Sequence, residues 1–337
     1  MNFKKKIHFI LFGLFAITAC KKNNETPKEN KSVDVYVVGT SIAANGVSVA
    51  TYWKNGVATK LTDSLSASFA YAIAVDESGV YVAGAVGSTA VYWKNGVQIT
   101  LPGAGTYATS IAVSGGDVYI TGTSGNNIAT YWKNGVINQL TKSVPGRSSH
   151  ASAVAIKGKD VYIVGSVAAA HSNSVATYWK NGVAKKLVDT ALFSYATDIV
   201  IQENDVYISG YTNLNLEGPT VATYWKNDVQ HSLPDTESSE AQSIAINGND
   251  VYLAGFTYAH ISGPYTYTVA TYWKNGVQTQ IGKAAIDAFA TTILTNGTDV
   301  YVAGVFGDTI PFYWKNGKQI QFTNNNATGY SMILVYK

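Results

Sequence analysis

Residues 128–140 read IATYWKNGVINQL, and the fold follows from them. Two short runs rich in β-branched and aromatic residues flank Asn134-Gly135, the pair best able to supply the two positive φ values of a type I′ turn. The stretch therefore predicts two antiparallel strands joined by a two-residue hairpin. It recurs along the chain. Every Trp of the 337 residues, at positions 53, 93, 132, 179, 225, 273 and 314, sits in the same Tyr-Trp-Lys-Asn motif. Six of these motifs continue into Gly, and the fifth has Asn227-Asp228, which still tolerates positive φ. A period of this size signals a repeat architecture.

Working outward, the same repeat contains TSIAV (109–113) and DVYIT (117–121), separated by a Gly-rich turn. Each repeat thus holds four strand-like runs, named A (SIAV-like), B (VYVAG-like), C (ATYWK) and D. Four antiparallel strands repeated seven times predict an all-β, seven-bladed β-propeller over residues 33–337. The ends agree with this. The domain opens on VDVYVVG (33–39), a B strand, and finishes on GYSMILVYK (329–337), an A strand. The C-terminal strand is expected to complete the blade begun by the N-terminal three, which closes the ring and hides both sheet ends. No distinct capping repeats of the kind a solenoid needs are present. With 46% hydrophobic and only 13% charged residues, disorder is excluded.

The first twenty residues, MNFKKKIHFILFGLFAITAC, belong to another category. Lys4, Lys5 and Lys6 form a positive n-region, and Ile7 to Ile17 an apolar stretch too short for a mature span. Ile17-Thr18-Ala19-Cys20 then resembles the lipobox of bacterial lipoproteins. The resemblance implies cleavage after residue 19, acylation of Cys20, palmitate included, and a place in the cell envelope. An outer-membrane location, with the domain facing the periplasm or the surface, is the expectation. Cys20 is the only Cys of the chain, so no intramolecular disulfide can form. Residues 20–32, CKKNNETPKENKS, read as a flexible tether. Without the three Lys of the signal, the chain's formal charge of +3 falls to zero. Arg147 is the only Arg, and no basic patch emerges, which argues against nucleic acid as a partner.

The YWKNG hairpin and the SIAV-like strand after it resemble the bacterial extracellular repeats known as HAF repeats. The domain is also similar to lipoprotein propellers of unknown function. Both resemblances imply an extracytoplasmic propeller, and neither transfers a catalytic motif.

Loop lengths separate the two faces of such a disc. From the A-strand aliphatic to the B-strand Tyr is always eight residues, as in Ile111–Tyr119 and Ile199–Tyr207. From the B-strand Gly to the Trp the spacing runs from 9 to 18. Antiparallel parity places the A–B and C–D connections on one, uniform face and the B–C and D–A connections on the other, variable face. Variable loops on a fixed scaffold are where binding usually resides.

On the variable face the sixth repeat makes the longest excursion, with Phe256, Tyr258, His260, Tyr265 and Tyr267. The fifth repeat adds Tyr211, Asn213 and Glu217. Aromatic faces beside amides and carboxylates suit a sugar or a protein hot spot. Asp198 replaces the Ala, Ser or Thr of the other A strands and is expected at the channel mouth as a solvated carboxylate, with binding of a cation or ligand as the alternative. The repeated Asp at the start of strand B and Lys at the end of strand C read as scaffold, paired across strands. No metal-ligand spacing, HExxH, GxSxG, P-loop or GxGxxG is present, so neither metal nor cofactor is expected. Eight acids lie in or near the variable-face connections, Glu240 and Asp287 among them, and no motif selects a pair. The expectation is a monomeric, membrane-anchored, non-catalytic binding or scaffold protein whose partner is a glycan or an envelope protein. A lectin-like propeller and a glycan hydrolase or lyase are the alternatives.

Overall fold

The computed structural model describes residues 33–336 apart from 104–106, 126, 143–146, 169–173, 189–192, 214–217, 234–236, 261–265, 282–286, 308–309 and 322–326. The signal segment, Cys20, the tether, Glu217 and Tyr265 lie outside the described residues, as does the side chain of His260. The described chain forms seven four-stranded antiparallel sheets, each in sequence order from A to D, except that one sheet takes its A strand from the far end of the chain. This strand, Ala327–Tyr336, pairs with Val33–Ile42 from Val33↔Tyr336 to Ser41↔Ala327. The ring is closed as the two sequence ends require. The sheet it completes is counted as blade 1.

The hairpin turn explains why the motif is so constant. Asn134 sits at φ 50° and Gly135 at φ 79°, and in the fifth blade Asn227 and Asp228 take 48° and 69°. The Asn side chain has a second task. Asn134 Oδ1 accepts from Val118 N at 2.8 Å, and its amide nitrogen donates to Asp117 Oδ1 at 2.7 Å. One residue thus shapes the C–D turn and ties it to the start of strand B. The Trp before it is core. Trp53, Trp93, Trp132, Trp179 and Trp225 are completely buried, and each is packed against the preceding blade. Trp93, for example, joins a cluster with Val38, Ala50 and Leu61 of blade 1. Large aromatic surfaces repeated at each blade boundary supply the main apolar burial of the ring.

The innermost A strands depart from regular pairing at one place. In each of them a β-bulge interrupts the register with strand B, between Ala196 and Asp198 in blade 5 and between Ala241 and Ser243 in blade 6. Opposite each of these bulges stands the B-strand glycine. A methyl at Gly255 would meet the carbonyl oxygen of Glu240, and one at Gly165 that of His150. These glycines permit a close approach of two backbones rather than a turn. In blades 2 to 7 the extra residue of the bulge faces the propeller axis, where bulges commonly re-aim side chains.

Candidate functional site

On the uniform face, chemistry is repeated. Lys133 Nζ lies 2.8 Å from Asp117 Oδ2 and 5.2 Å from the centroid of the Tyr119 ring. The Lys133 ammonium, bonded to it, holds the Asp117 carboxyl below its ordinary range. The same Lys–Asp–Tyr set recurs at Lys54, Lys180, Lys226, Lys274 and Lys315. Blade 2 has Gly79 in place of the Asp, and there Lys94 sits over Tyr81, 5.0 Å from the ring, and feels the Asp76 carboxylate. The expected cross-strand pairing is what these residues do.

Around the axis the blades differ. The bulge residues Tyr71, Thr109, Ser152, Thr197, Gln242 and Thr291 line a central cavity of about 430 Å³. Below them small residues such as Ala72, Ser110 and Ala153 alternate with aliphatic ones such as Ile73, Ile111 and Ile293, and Asp198 is the single carboxylate among the described lining residues. Among the described lining residues there is no Lys, Arg or His. Two bulge threonines stitch neighbouring blades: Thr109 Oγ1 donates to Ala151 O at 2.7 Å, and Thr197 Oγ1 to Ala241 O at 2.8 Å.

Asp198, expected from the sequence as a solvated carboxylate at the channel mouth, is partly exposed on the cavity wall and is also held by protein donors. It accepts from Ser243 Oγ at 2.8 Å, Ile244 N at 3.2 Å and Ile199 N at 2.8 Å. Burial pushes its carboxyl above the ordinary range against the pull of those three donors. Two of its partners lie in blade 6, so it links blade 5 to blade 6.

Two residues before the bulge, towards the variable face, one register position carries Phe69, Tyr107, His150, Tyr195, Glu240 and Phe289 in blades 2 to 7. All six are partly exposed, Tyr107 most at 40%. Contacts run from blade to blade. Tyr107 Oη is 3.3 Å from His150 Nδ1, and the rings of Phe256 and Phe289 meet edge to face at 5.0 Å. Within blade 5, Tyr195 and Tyr211 stack at 5.1 Å. These residues form an aromatic collar two residues along strand A from the bulge residues of the cavity wall, on the variable-face side, and none of the six is itself among the described lining residues of that cavity. A second hollow of about 380 Å³ lies against Tyr71, Tyr107 and Thr109, two of which also line the first.

Glu240 is the one acid of the collar. It accepts from Gln242 Nε2 at 3.2 Å, and burial pushes its carboxyl up to about 7. Burial also raises Tyr211, to which the Glu240 charge adds, and lowers the imidazole of His150. Glu240 is therefore largely neutral at mildly acidic pH and can then donate a hydrogen bond as well as accept one. No group of three His, Cys, Asp or Glu that could hold a metal occurs among the described residues.

The residues singled out from the sequence separate. Tyr211 and Tyr258 lie beside Glu240; burial raises both phenols, and the Glu240 charge adds to it. Phe256 is buried at 7% exposure and braces the collar against Phe289 and Tyr258. Asn213 is buried and donates to Gly218 O at 2.9 Å, which holds its own connection. The long excursion of blade 6 is an extended hairpin, Asp250–His260 with Thr266–Lys274. In it Tyr258 pairs with Thr268 and Ala259 with Tyr267, so Tyr258 and Tyr267 point to opposite faces. Sequence reasoning missed the collar and the ring of bulge residues.

No protein-family model matches the chain, and no curated protein matches it. Among solved structures it is similar to the β-propeller domain of the Trilobed protease from Pyrococcus furiosus, with TM-score 0.54 and 11% identity over 88% of this chain and 96% of that one. That domain is described as having an open velcro topology, whereas here the two ends of the chain pair within blade 1. A puromycin-hydrolyzing peptidase from Mycobacterium tuberculosis gives TM-score 0.52 and 11% identity over 88% of this chain. The chain spans 52% of that peptidase's length. At such identities the likeness is one of fold alone.

Proposed function

We propose that the protein is a lipid-anchored binding protein of the bacterial cell envelope, non-catalytic, which takes its ligand over the cavity mouth on the variable face. The anchor rests on the lipobox-like Ile17-Thr18-Ala19-Cys20 after a basic and apolar leader. The binding reading rests on one observation: at a single register position, the blades place a collar of partly exposed Phe, Tyr, His and Glu around a cavity mouth. Partly exposed aromatics that converge on a concave site with a few polar groups are what a ligand site requires.

Two experiments test this. Cys20→Ser should abolish incorporation of labelled fatty acid and release the protein from the membrane fraction; unchanged partition would refute the anchor. The full chain should be screened against envelope proteins and glycans, with Tyr107→Ala and Tyr258→Ala as site variants. Whatever binds should lose affinity in both. A ligand indifferent to both would remove the site from the variable face.

A further inference from the structure

We propose, resting on that reading, that the ligand is the end of an uncharged glycan whose terminal unit enters the collar and reaches the ring of bulge residues. Three features of the site select this class of ligand.

The first is shape. The collar narrows to a cavity of about 430 Å³, within the range of small-molecule sites and closed laterally by seven inner strands. A folded protein surface has no means of filling it, whereas a chain end does.

The second is the order of chemistry along the axis. Aromatic faces come first, at Phe69, Tyr107, Tyr195 and Phe289. Deeper lies a ring of small hydrogen-bonding groups, the hydroxyls of Thr109, Ser152, Thr197 and Thr291 with the amide of Gln242. A pyranose presents C–H faces that stack on rings and a periphery of hydroxyls that both donate and accept. The hydroxyl protons of Thr109, Thr197 and Thr291 go to backbone carbonyls and a Gln242 proton goes to Glu240, so towards a ligand these groups offer chiefly acceptor oxygens, which the hydroxyls of a sugar can use and an apolar ligand cannot.

The third is charge. The described lining holds no cation, while Asp198 stands in the wall and Glu240 at the mouth. A phosphate, sulfate or uronate would find no counter-charge on the described lining. An amine fares little better, since the Asp198 oxygens already take three protein donors and burial favours a neutral Glu240. An uncharged ligand carries neither penalty.

The test is calorimetric titration of the full chain in mild detergent with a panel of uncharged oligosaccharides. Each sugar is matched by a uronic-acid and an amino-sugar counterpart at its terminal unit. At least one uncharged member should bind, and its two charged counterparts should bind about 10-fold more weakly or worse. Tyr107→Ala and Tyr195→Ala, on separate blades, should each weaken binding about 10-fold. Tyr107→Phe, which keeps the ring and the fold, should retain most of it. Lys226→Ala on the opposite face should change nothing. A charged counterpart that binds as well or better overturns the inference, as does an uncharged binder indifferent to the collar variants. If no sugar binds while an envelope protein binds in a collar-dependent manner, the glycan inference fails and the proposed binding function stands. If neither binds, both fail.

Discussion

The two faces of the disc obey opposite rules. On the uniform face, Asp, Lys, Tyr and the turn Asn occupy the same places in six blades, with the same contacts within a few tenths of an ångström. At the collar position of strand A, six blades carry Phe, Tyr, His, Tyr, Glu and Phe. The difference has a physical meaning. A ligand on the axis of a sevenfold ring meets identical groups on every side wherever the repeats are identical, and nothing then fixes its orientation. Only positions that break the repeat can hold one asymmetric ligand in one pose. Repetition marks the scaffold; its interruption around the mouth marks the site.

The sharpest way to break the comparison is to open the ring on which both faces depend. Removal of Ala327–Tyr336 strips blade 1 of its inner strand and uncovers Val35 and Val37, now buried in the cluster that joins blades 7 and 1. An exposed edge and an apolar groove result. The expected outcome is loss of the cooperative melting transition, with aggregation, read by calorimetry and light scattering. A truncated protein that melts like the full chain would mean that closure contributes little.

Next in size is a change that joins the repeated to the variable. Gly255 belongs to the repeated B-strand pattern, yet a methyl on it would strike the carbonyl oxygen of Glu240, a residue that is not repeated. Gly255→Ala should cost on the order of 3 kcal/mol, since two paired backbones must separate. Denaturant unfolding measures it. Gly135→Ala, in a turn with open space around it, carries only the strain of φ 79° and should cost less.

Much of this was legible in the sequence, and the reason is the same asymmetry. Features repeated seven times, the Trp spacing, the Asn-Gly turns and the complementary ends, reinforce one another. The collar lacks that reinforcement, because its residue type changes from blade to blade. A signal for the bulge does exist. Ala70, Ala108, Ala151, Ala196, Ala241 and Ala290 each stand three residues before the A-strand aliphatic, and all are buried at 1% exposure or less. In a regular strand, residues three apart face opposite sides, yet Ala70 and Ile73, Ala108 and Ile111, and Ala241 and Ile244 each share one core cluster, which requires an inserted residue between them. Asp198 was visible as an outlier, but its environment was not. The groups that hold it, Ser243 and Ile244 N, lie 45 and 46 residues away in the next blade.

The third prediction sharpens the comparison through pH. Burial raises Glu240 from 4.5 to about 7, so the folded state favours the neutral carboxyl. A raised carboxyl contributes stability that is fully present below the ordinary value and is lost as pH rises through about 7. Between pH 5.5 and 8.5 this group alone should lower stability by about 2 kcal/mol. Glu240→Gln should flatten that dependence. An unchanged pH profile in the variant would show that Glu240 is hydrated at the mouth. Asp198, also raised by burial, acts in the same direction, and Asp198→Asn in the Glu240→Gln background separates the two.

The smallest effect is expected where the contacts are most numerous. The Lys–Asp pairs of the uniform face have short distances, 2.8 Å for Lys133–Asp117 and 2.7 Å for Lys315–Asp299, and each Lys also sits over a Tyr ring. Yet these Lys side chains are 40–48% exposed, where water and salt screen the charges and two long side chains must be held still. Blade 2 is a natural control. It lacks the Asp, with Gly79 in its place, and its hairpin is built in the same geometry, with Asn95 at φ 50° and its amide turned to Ser78 O instead. The Asn therefore anchors the turn, and the ion pair adds little to it. Asp117→Ala and Lys133→Ala should each shift the melting temperature barely measurably, with no change in ligand affinity, and 1 M salt should erase the shift. Asn134→Ala should cost clearly more than either, since it removes the positive-φ residue and the bond to Val118 N together. If the charge variants prove as damaging as Asn134→Ala, the ion pairs are structural determinants and the repeated face is more than a scaffold of turns.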